Sequence, residues 1–319
     1  MKIRLEAEDV KIVQKCLSTA VCSNEQQQAL HEIMAKAEAG IEFDTEMSDH
    51  IANTCRDIAL SLEASDLYCA QQLMSLALAI RPSGPLLQKK THEYAKLLQV
   101  FESGSTECNG IKLAFGENLP LPLLKALANG SYEQHEAKLL MQFIGPEDRV
   151  LELGAGIGYM GSLAMTYCKP LTYTAYEANP ALLPLIMSNM ERNRVQFEAR
   201  NTLLADTKAS RDFYVTPAFW ASSLLEPDSE PYQKVTVAAV DKNVVMDELK
   251  PTALVVDIEG GEAEFFAGLD LTTVNKIIIE IHPAVLDDAT LSTLYASLLN
   301  KGFKLNFSAS SKVVLYWYR

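Results

Sequence analysis

Val150-Leu151-Glu152-Leu153-Gly154-Ala155-Gly156-Ile157-Gly158 decides how this chain folds. A mostly apolar run ends in three alternate glycines, and a helical pattern follows from Met160 to Tyr167. That order predicts a buried strand, a tight turn and a helix N-terminus. The glycines let the chain turn sharply and let a ligand approach the backbone, while the first helical turn offers N–H groups. A second apolar run, Leu171 to Tyr176, ends in Glu177. An acidic side chain about 20 residues beyond such glycines is placed to accept both hydroxyls of a ribose. Together the two stretches predict a doubly wound α/β domain and an adenosine-containing ligand.

Spacing narrows the ligand. A dinucleotide fingerprint wants its third glycine five residues after the first, and Tyr159 stands there. The pattern is instead acidic-x-Gly-x-Gly-x-Gly, with Glu152 as the acidic residue. It resembles motif I of the class I S-adenosylmethionine-dependent methyltransferases, and the resemblance implies that Glu152 helps orient the methionine moiety. The same resemblance offers Leu153, Gly154, Ala155, Gly156, Gly158, Glu177 and Ala178 as cofactor contacts. In the stretch from Asn201 to Asp206, Asn201 and Thr202 are candidates for reading the adenine edge.

A second strand-end signature follows. Ala253 to Glu262 reads Ala-Leu-Val-Val-Asp-Ile-Glu-Gly-Gly-Glu, and Ile277 to Pro283 reads Ile-Ile-Ile-Glu-Ile-His-Pro. Parallel strands of a doubly wound sheet deliver their C-terminal ends to one edge, where ligands bind. Asp257, Glu259, Glu280 and His282 are therefore expected together beside the methyl donor, and so many ionisable groups at apolar strand ends are costly without a purpose. The combination looks like the FkbM family of S-adenosylmethionine-dependent methyltransferases, whose hallmark is Asp-x-Glu-Gly-x-Glu followed by a strand ending in Glu-x-His. The resemblance covers about residues 130 to 319. It implies O-methylation of hydroxyls on natural products, sugars and related metabolites. Glu152 departs mildly from the family's usual aspartate, and Glu177-Ala178-Asn179-Pro180 follows its acidic-x-x-Pro pattern.

Methyl transfer requires an aligned acceptor and a group to take its proton. His282 is the candidate base, since an imidazole titrates near neutral pH. Asp257 or Glu259 would orient it or bind the acceptor, and Glu262 reaches the same edge from the following helix. Asp257 doubles as a cofactor contact. Nothing in the spacing demands a metal, although Asp257, Glu259 and Glu280 are hard oxygen donors that suit magnesium or calcium.

The flanking regions complete the plan. Residues 1–100 read as an N-terminal helical domain, with apolar residues at helical spacing through Val10-Ile12-Val13-Cys16-Leu17 and Leu30-Ile33-Met34-Ala37. Ala70, Met74, Ala77 and Pro82 follow the second helix of a tetratricopeptide repeat, but Asp57 breaks the first half of that pattern. Two readings stand for this domain: a cap that packs or forms a homodimer, and a groove for a protein partner. Residues 101–130 read as a connector. Residues 131–319 form the methyltransferase domain, opening with a helix from Tyr132 to Phe143 whose Tyr132 and Glu133 are candidates for the cofactor pocket. The loop 216–234, with Trp220, Ser222 and Ser223, reads as a substrate lid.

Composition supports a globular chain. In 319 residues, 48% are hydrophobic and 22% charged, enough for two cored domains. The formal charge of −13 argues against a nucleic-acid partner. No apolar run approaches the roughly 18 residues of a membrane span, and the first residues lack a signal-peptide core, so a cytoplasmic protein with a small-molecule acceptor is expected. The 6 cysteines show no CxxC spacing and read as reduced core thiols. Against the methyltransferase stand an NAD-dependent oxidoreductase, an N-methylating or peptide-modifying enzyme, and a non-catalytic scaffold using the helical domain.

Overall fold

A computed structural model describes residues 5–18, 22–116, 119–206, 209–216 and 231–319. The chain divides into two compact units, Met1–Ser103 with Pro120–Ala128, and Gly104–Leu119 with Asn129–Arg319. Among the described residues no helix is long and apolar enough to cross a membrane.

The first unit is helical: α1 Ala7–Ser18, α2 Asn24–Glu38, α3 Thr45–Leu62, α4 Leu67–Ile80, α5 Pro85–Ser103 and α6 Leu121–Asn129. Short polar residues start its helices, as their side chains satisfy first-turn N–H groups. Ser23 and Gln26 form a reciprocal capping box, and Asp44 and Asp66 accept from Met47 and Cys69. Cys16, Leu30, Cys55, Leu73, Met74 and Tyr94 build its core. Glu63 gathers α3, α5 and α6: it accepts from Lys90 Nζ at 3.0 Å, from Tyr94 Oη at 2.8 Å and from Lys125 Nζ. Partial burial works against its charge, but those donors win and hold its carboxyl at about 2. The six cysteines are unbridged and buried.

The second unit opens with a hairpin, β1 Ser105–Cys108 and β2 Ile111–Ala114, before α7 Gln134–Phe143. The stretch 101–130 is thus no plain linker. The helix expected from Tyr132 starts two residues later, because Glu133 turns the backbone left-handed at φ 46°. Then come β3 Arg149–Leu153, α8 Tyr159–Leu163, β4 Thr172–Tyr176, α9 Leu183–Asn193 and β5 Glu198–Arg200. α8 runs on into a π-helical turn, Ala164–Cys168. β6 Leu203–Ala205, β7 Ala209–Val215 and β8 Gln233–Asp241 form a separate three-stranded sheet in the order β6-β8-β7. α10 Lys242–Leu249, β9 Ala253–Val256, α11 Glu262–Phe266, β10 Lys276–Glu280, α12 Asp288–Asn300, β11 Lys304–Leu305 and β12 Val314–Tyr318 complete it. Trp220, Ser222 and Ser223 lie outside the described residues.

The main sheet has seven strands in the order β11-β12-β10-β9-β3-β4-β5. β10, β9, β3, β4 and β5 run parallel, and β12 is antiparallel to both β10 and β11. This is the class I methyltransferase arrangement. Parallel strands covered on both faces must be apolar throughout, and β9 is buried at every position. The chain leaves β3 toward β4 and later returns to its other side with β9. That reversal opens a crevice beyond the strand ends, at whose base Leu153 pairs with Val256.

The hairpin is held to the unit by asparagine side chains, of which Asn189 is buried. Asn189 Oδ1 accepts from Ala114 N at 2.6 Å, while its Nδ2 donates to Ala114 O at 3.1 Å and to Ile157 O at 2.9 Å. Asn109 donates to the Tyr159 hydroxyl at 2.7 Å.

Candidate active site

The two strand-end turns touch. The turn after β3 carries Gly154 at φ 83° and Gly156 at φ 54°, and a Cβ on Gly154 would collide with the Asp257 carbonyl oxygen of the turn after β9. Only glycine fits there, on both counts. Between the turns lies a cleft of about 910 Å³, counting the open space at its mouth.

One wall is the glycine turn. Its N–H groups are committed internally: Gly154 and Ala155 donate to Tyr176 O, Gly158 to Ala155 O, and Gly156 to Glu177 Oε2 at 2.8 Å. At these four positions a ligand therefore meets Glu177 and the bare glycine backbone rather than open N–H donors. Glu177 is fixed from both sides, since Oε1 accepts from Asn179 N at 2.7 Å. Burial pushes its carboxyl up to about 7, against the pull of those backbone donors. A Cβ on Gly156 would point 3.3 Å from the Tyr132 hydroxyl, filling space at the cleft wall. Leu203, Leu204 and Phe213 from the small sheet, with Leu182 and Phe265, give the cleft an apolar lining.

The other wall is acidic. Glu259 adopts φ 50° and Gly260 φ 97°, a tight reversal between β9 and α11. His282, just beyond β10, sits among carboxylates. Its Nδ1 is 2.7 Å from Glu262 Oε1, and its Nε2 is 3.1 Å from Glu259 Oε2 and 3.6 Å from Asp257 Oδ1. Burial disfavours the imidazolium, but the hydrogen bonds to Glu259 and Glu262 outweigh it and hold His282 up at about 11. Burial, and repulsion from Glu280 and Glu259, push Asp257 well above the usual carboxylate range. Burial and repulsion from Glu136 of α7 likewise bring Glu280 to about 7.

Of the residues singled out in the sequence, Tyr132, Leu153, Gly154, Gly156, Glu177, Ala178, Thr202, Asp257 and Glu259 line the cleft, as does Glu133. Others stand behind it. Glu152 is buried inside the sheet, where burial raises its carboxyl to about 8, and Ala155 is likewise buried. Gly158 starts α8 against Ile186. Asn201 donates to the carbonyls of Glu177 and Ala178 at 2.8 and 3.0 Å, shaping the wall from outside. Glu262 is fully buried behind His282. Sequence reasoning missed the apolar lining from Leu203, Leu204 and Phe213; their apolar side chains beside the Asn201–Thr202 stretch were the available signal.

The cleft thus offers a buried carboxylate, an apolar wall and a glycine backbone. Residues 152–305 match the model of the methyltransferase FkbM domain. Searched against curated proteins, the sequence finds no match. Among solved structures the chain is similar to the ribosomal protein L11 methylase of Lactobacillus delbrueckii subsp. bulgaricus, with 12% identity over 59% of this chain and 77% of that one and a TM-score of 0.36. It is also similar to precorrin-6y C5,15-methyltransferase of Geobacter metallireducens GS-15, with 12% identity over 57% and 85% and a TM-score of 0.34. Similarity extends to M. jannaschii TYW2 in complex with AdoMet, with 14% identity over 67% and 82% and a TM-score of 0.33. The family match spans the glycine turn, Glu177 and the whole acidic wall, so residues 152–305 form a methyltransferase FkbM domain with S-adenosylmethionine as its cofactor.

Proposed function

We propose that the protein methylates a hydroxyl oxygen of a small metabolite, sugar or natural product. The observation that carries this reading is the contact between the two turns: a glycine-lined wall and an acidic wall border one cleft. S-Adenosylmethionine supplies a methyl group on a sulfonium that leaves without needing a proton. The residues of the chain then have three tasks. Glu177 holds the ribose hydroxyls, and the apolar wall of Leu203, Leu204 and Phe213 holds the base. The glycine turn and Tyr132 leave room for the methionine portion beside Asp257. At the acidic wall Glu259 takes the acceptor's proton, while His282, 3.1 Å behind it and kept protonated by its carboxylates, stabilises the charge there rather than acting as the base. Acceptors with anionic groups are disfavoured, because Glu259 and Glu264 already line the cleft.

The test is calorimetric titration with S-adenosylmethionine, S-adenosylhomocysteine and NAD, followed by a screen of hydroxylated and amine acceptors with labelled methyl donor. Micromolar binding of the first two, with label transferred to hydroxyls, is the expected result. Label on nitrogen alone would move the reading to N-methylation, and binding of NAD alone would sink it.

A further inference from the structure

We propose that Asp257, Glu259 and His282 form a binding site for a divalent first-row metal ion at the acceptor wall of the cleft, with Glu262 as the residue that orients the histidine. The inference builds on the transfer reading only for what the ion does; the site itself rests on geometry. One oxygen of Asp257, one of Glu259 and one ring nitrogen of His282 all lie within 4.8 Å of one another. Donors at about 2.1 Å from an ion stand about 3.0 Å apart when adjacent in an octahedron and about 3.4 Å apart in a tetrahedron. The separations from Nε2, 3.1 Å to Glu259 and 3.6 Å to Asp257, fall close to both values. No metal-binding group of three or more other residues occurs among the described residues.

Two further observations separate this cluster from an ordinary acidic surface. The first is the partner of the other ring nitrogen. Glu262 Oε1 lies 2.7 Å from Nδ1 and holds a proton there, so an ion takes the place of the Nε2 proton that faces Asp257 and Glu259. A metal-bound histidine characteristically has its second nitrogen held by a carboxylate in this manner. The second is polar atoms left without partners. Glu262 has no exposed surface, aims its carboxylate at the cluster, and its Oε2 has no hydrogen-bond partner among the described residues. Asp257 Oδ1, the atom facing Nε2, is buried and lacks one too. Three carboxylates around a single imidazole leave excess negative charge, and a bound dication offsets it.

The donor set selects the ion. One imidazole and two carboxylates suit Mn2+, Fe2+ or Zn2+ better than Ca2+, which prefers oxygen donors alone. Three protein donors leave coordination positions for an acceptor oxygen, and Asp257 and Glu259 both line the cleft. An ion there supplies positive charge where an acceptor hydroxyl loses its proton.

The test uses the full-length protein after chelator treatment, titrated with Mn2+ and followed by electron paramagnetic resonance of the free ion. Each sample is titrated in parallel with S-adenosylmethionine. One Mn2+ per chain is expected, displaced by Zn2+. Glu262→Gln should weaken Mn2+ binding about 10–100-fold while the cofactor still binds, and Glu259→Gln should weaken it further. Lack of Mn2+ and Zn2+ binding, with or without cofactor, overturns the site; so does binding unchanged in Glu259→Gln. Cofactor binding in those samples keeps the methyltransferase reading standing when the metal site fails. Its loss from the wild-type protein would count against the reading itself.

Discussion

The two walls of the cleft are made the same way and do opposite things. Each is a turn at the end of a parallel strand, forced by residues with positive φ: Gly154, Gly156 and Gly158 on one side, Glu259 and Gly260 on the other. The glycine wall satisfies its own polar groups, so Glu177 and Asn201 are tied to backbone and the surface is fixed before any ligand arrives. The acidic wall concentrates Asp257, Glu259 and Glu262 around one imidazole and leaves buried oxygens without hydrogen-bond partners among the described residues. One wall is preorganised to hold; the other stores electrostatic imbalance that a substrate proton or a cation relieves. The comparison says where affinity and chemistry should separate.

Gly154→Ala should break both walls at once. The methyl group meets the Asp257 carbonyl and the backbone at φ 83° disfavours it. A stability loss of about 3 kcal/mol is expected, with cofactor binding abolished, read by thermal unfolding and titration. His282→Ala should divide the walls cleanly. Methyl transfer should slow about 10²–10⁴-fold with cofactor affinity nearly intact, and wild-type turnover would return His282 to a purely structural role. Glu177→Ala should do the reverse, weakening the cofactor by about 1–3 kcal/mol through lost ribose hydrogen bonds while the His282 cluster stays whole. An unchanged dissociation constant would remove Glu177 from the ribose.

The smallest effect is pH. Burial raises Glu177 to about 7, so its carboxylate form gives way as pH falls through 7. Cofactor binding should weaken up to about tenfold between pH 8 and pH 6. For folding the sign is the opposite: a carboxyl raised above its unfolded value stabilises most at low pH, and the contribution is lost as pH rises to about 7. Calorimetry at several pH values separates the two, and a flat binding profile would mean that another group holds the ribose.

Most of this architecture is written in local sequence, because strands buried on both faces leave uninterrupted apolar runs. Val150–Leu153, Leu171–Tyr176, Ala253–Val256 and Ile277–Ile281 announce the parallel core, and the residues that follow each run fall at the crevice. What is less legible depends on partners distant in sequence. Asn201 read as an adenine contact because its short amide fits that job; in the fold its amide nitrogen donates to two backbone carbonyls. Glu152 carries the motif's charge, yet β3 runs through the middle of the sheet and buries it. The small sheet was visible as strands but not as a separate sheet, since pairing register is invisible in a strand's own composition. His282 was visible as a titratable group; that carboxylates flank both its nitrogens required the fold.

The buried amide of Asn189 has a consequence for how the molecule is assembled and cut. It joins the β2 edge at Ala114 to the glycine turn at Ile157, and residues 104–119 precede the stretch matched by the family model. The chain then passes through 120–128, which belong to the helical unit, before re-entering the catalytic one. During synthesis the helical unit therefore cannot be finished until the first piece of its neighbour has already emerged. Nor can either unit be obtained by a single scission: trimming to residue 131 would strip the clamp from the cofactor turn, and trimming to 104 would carry along a helix whose companions are gone.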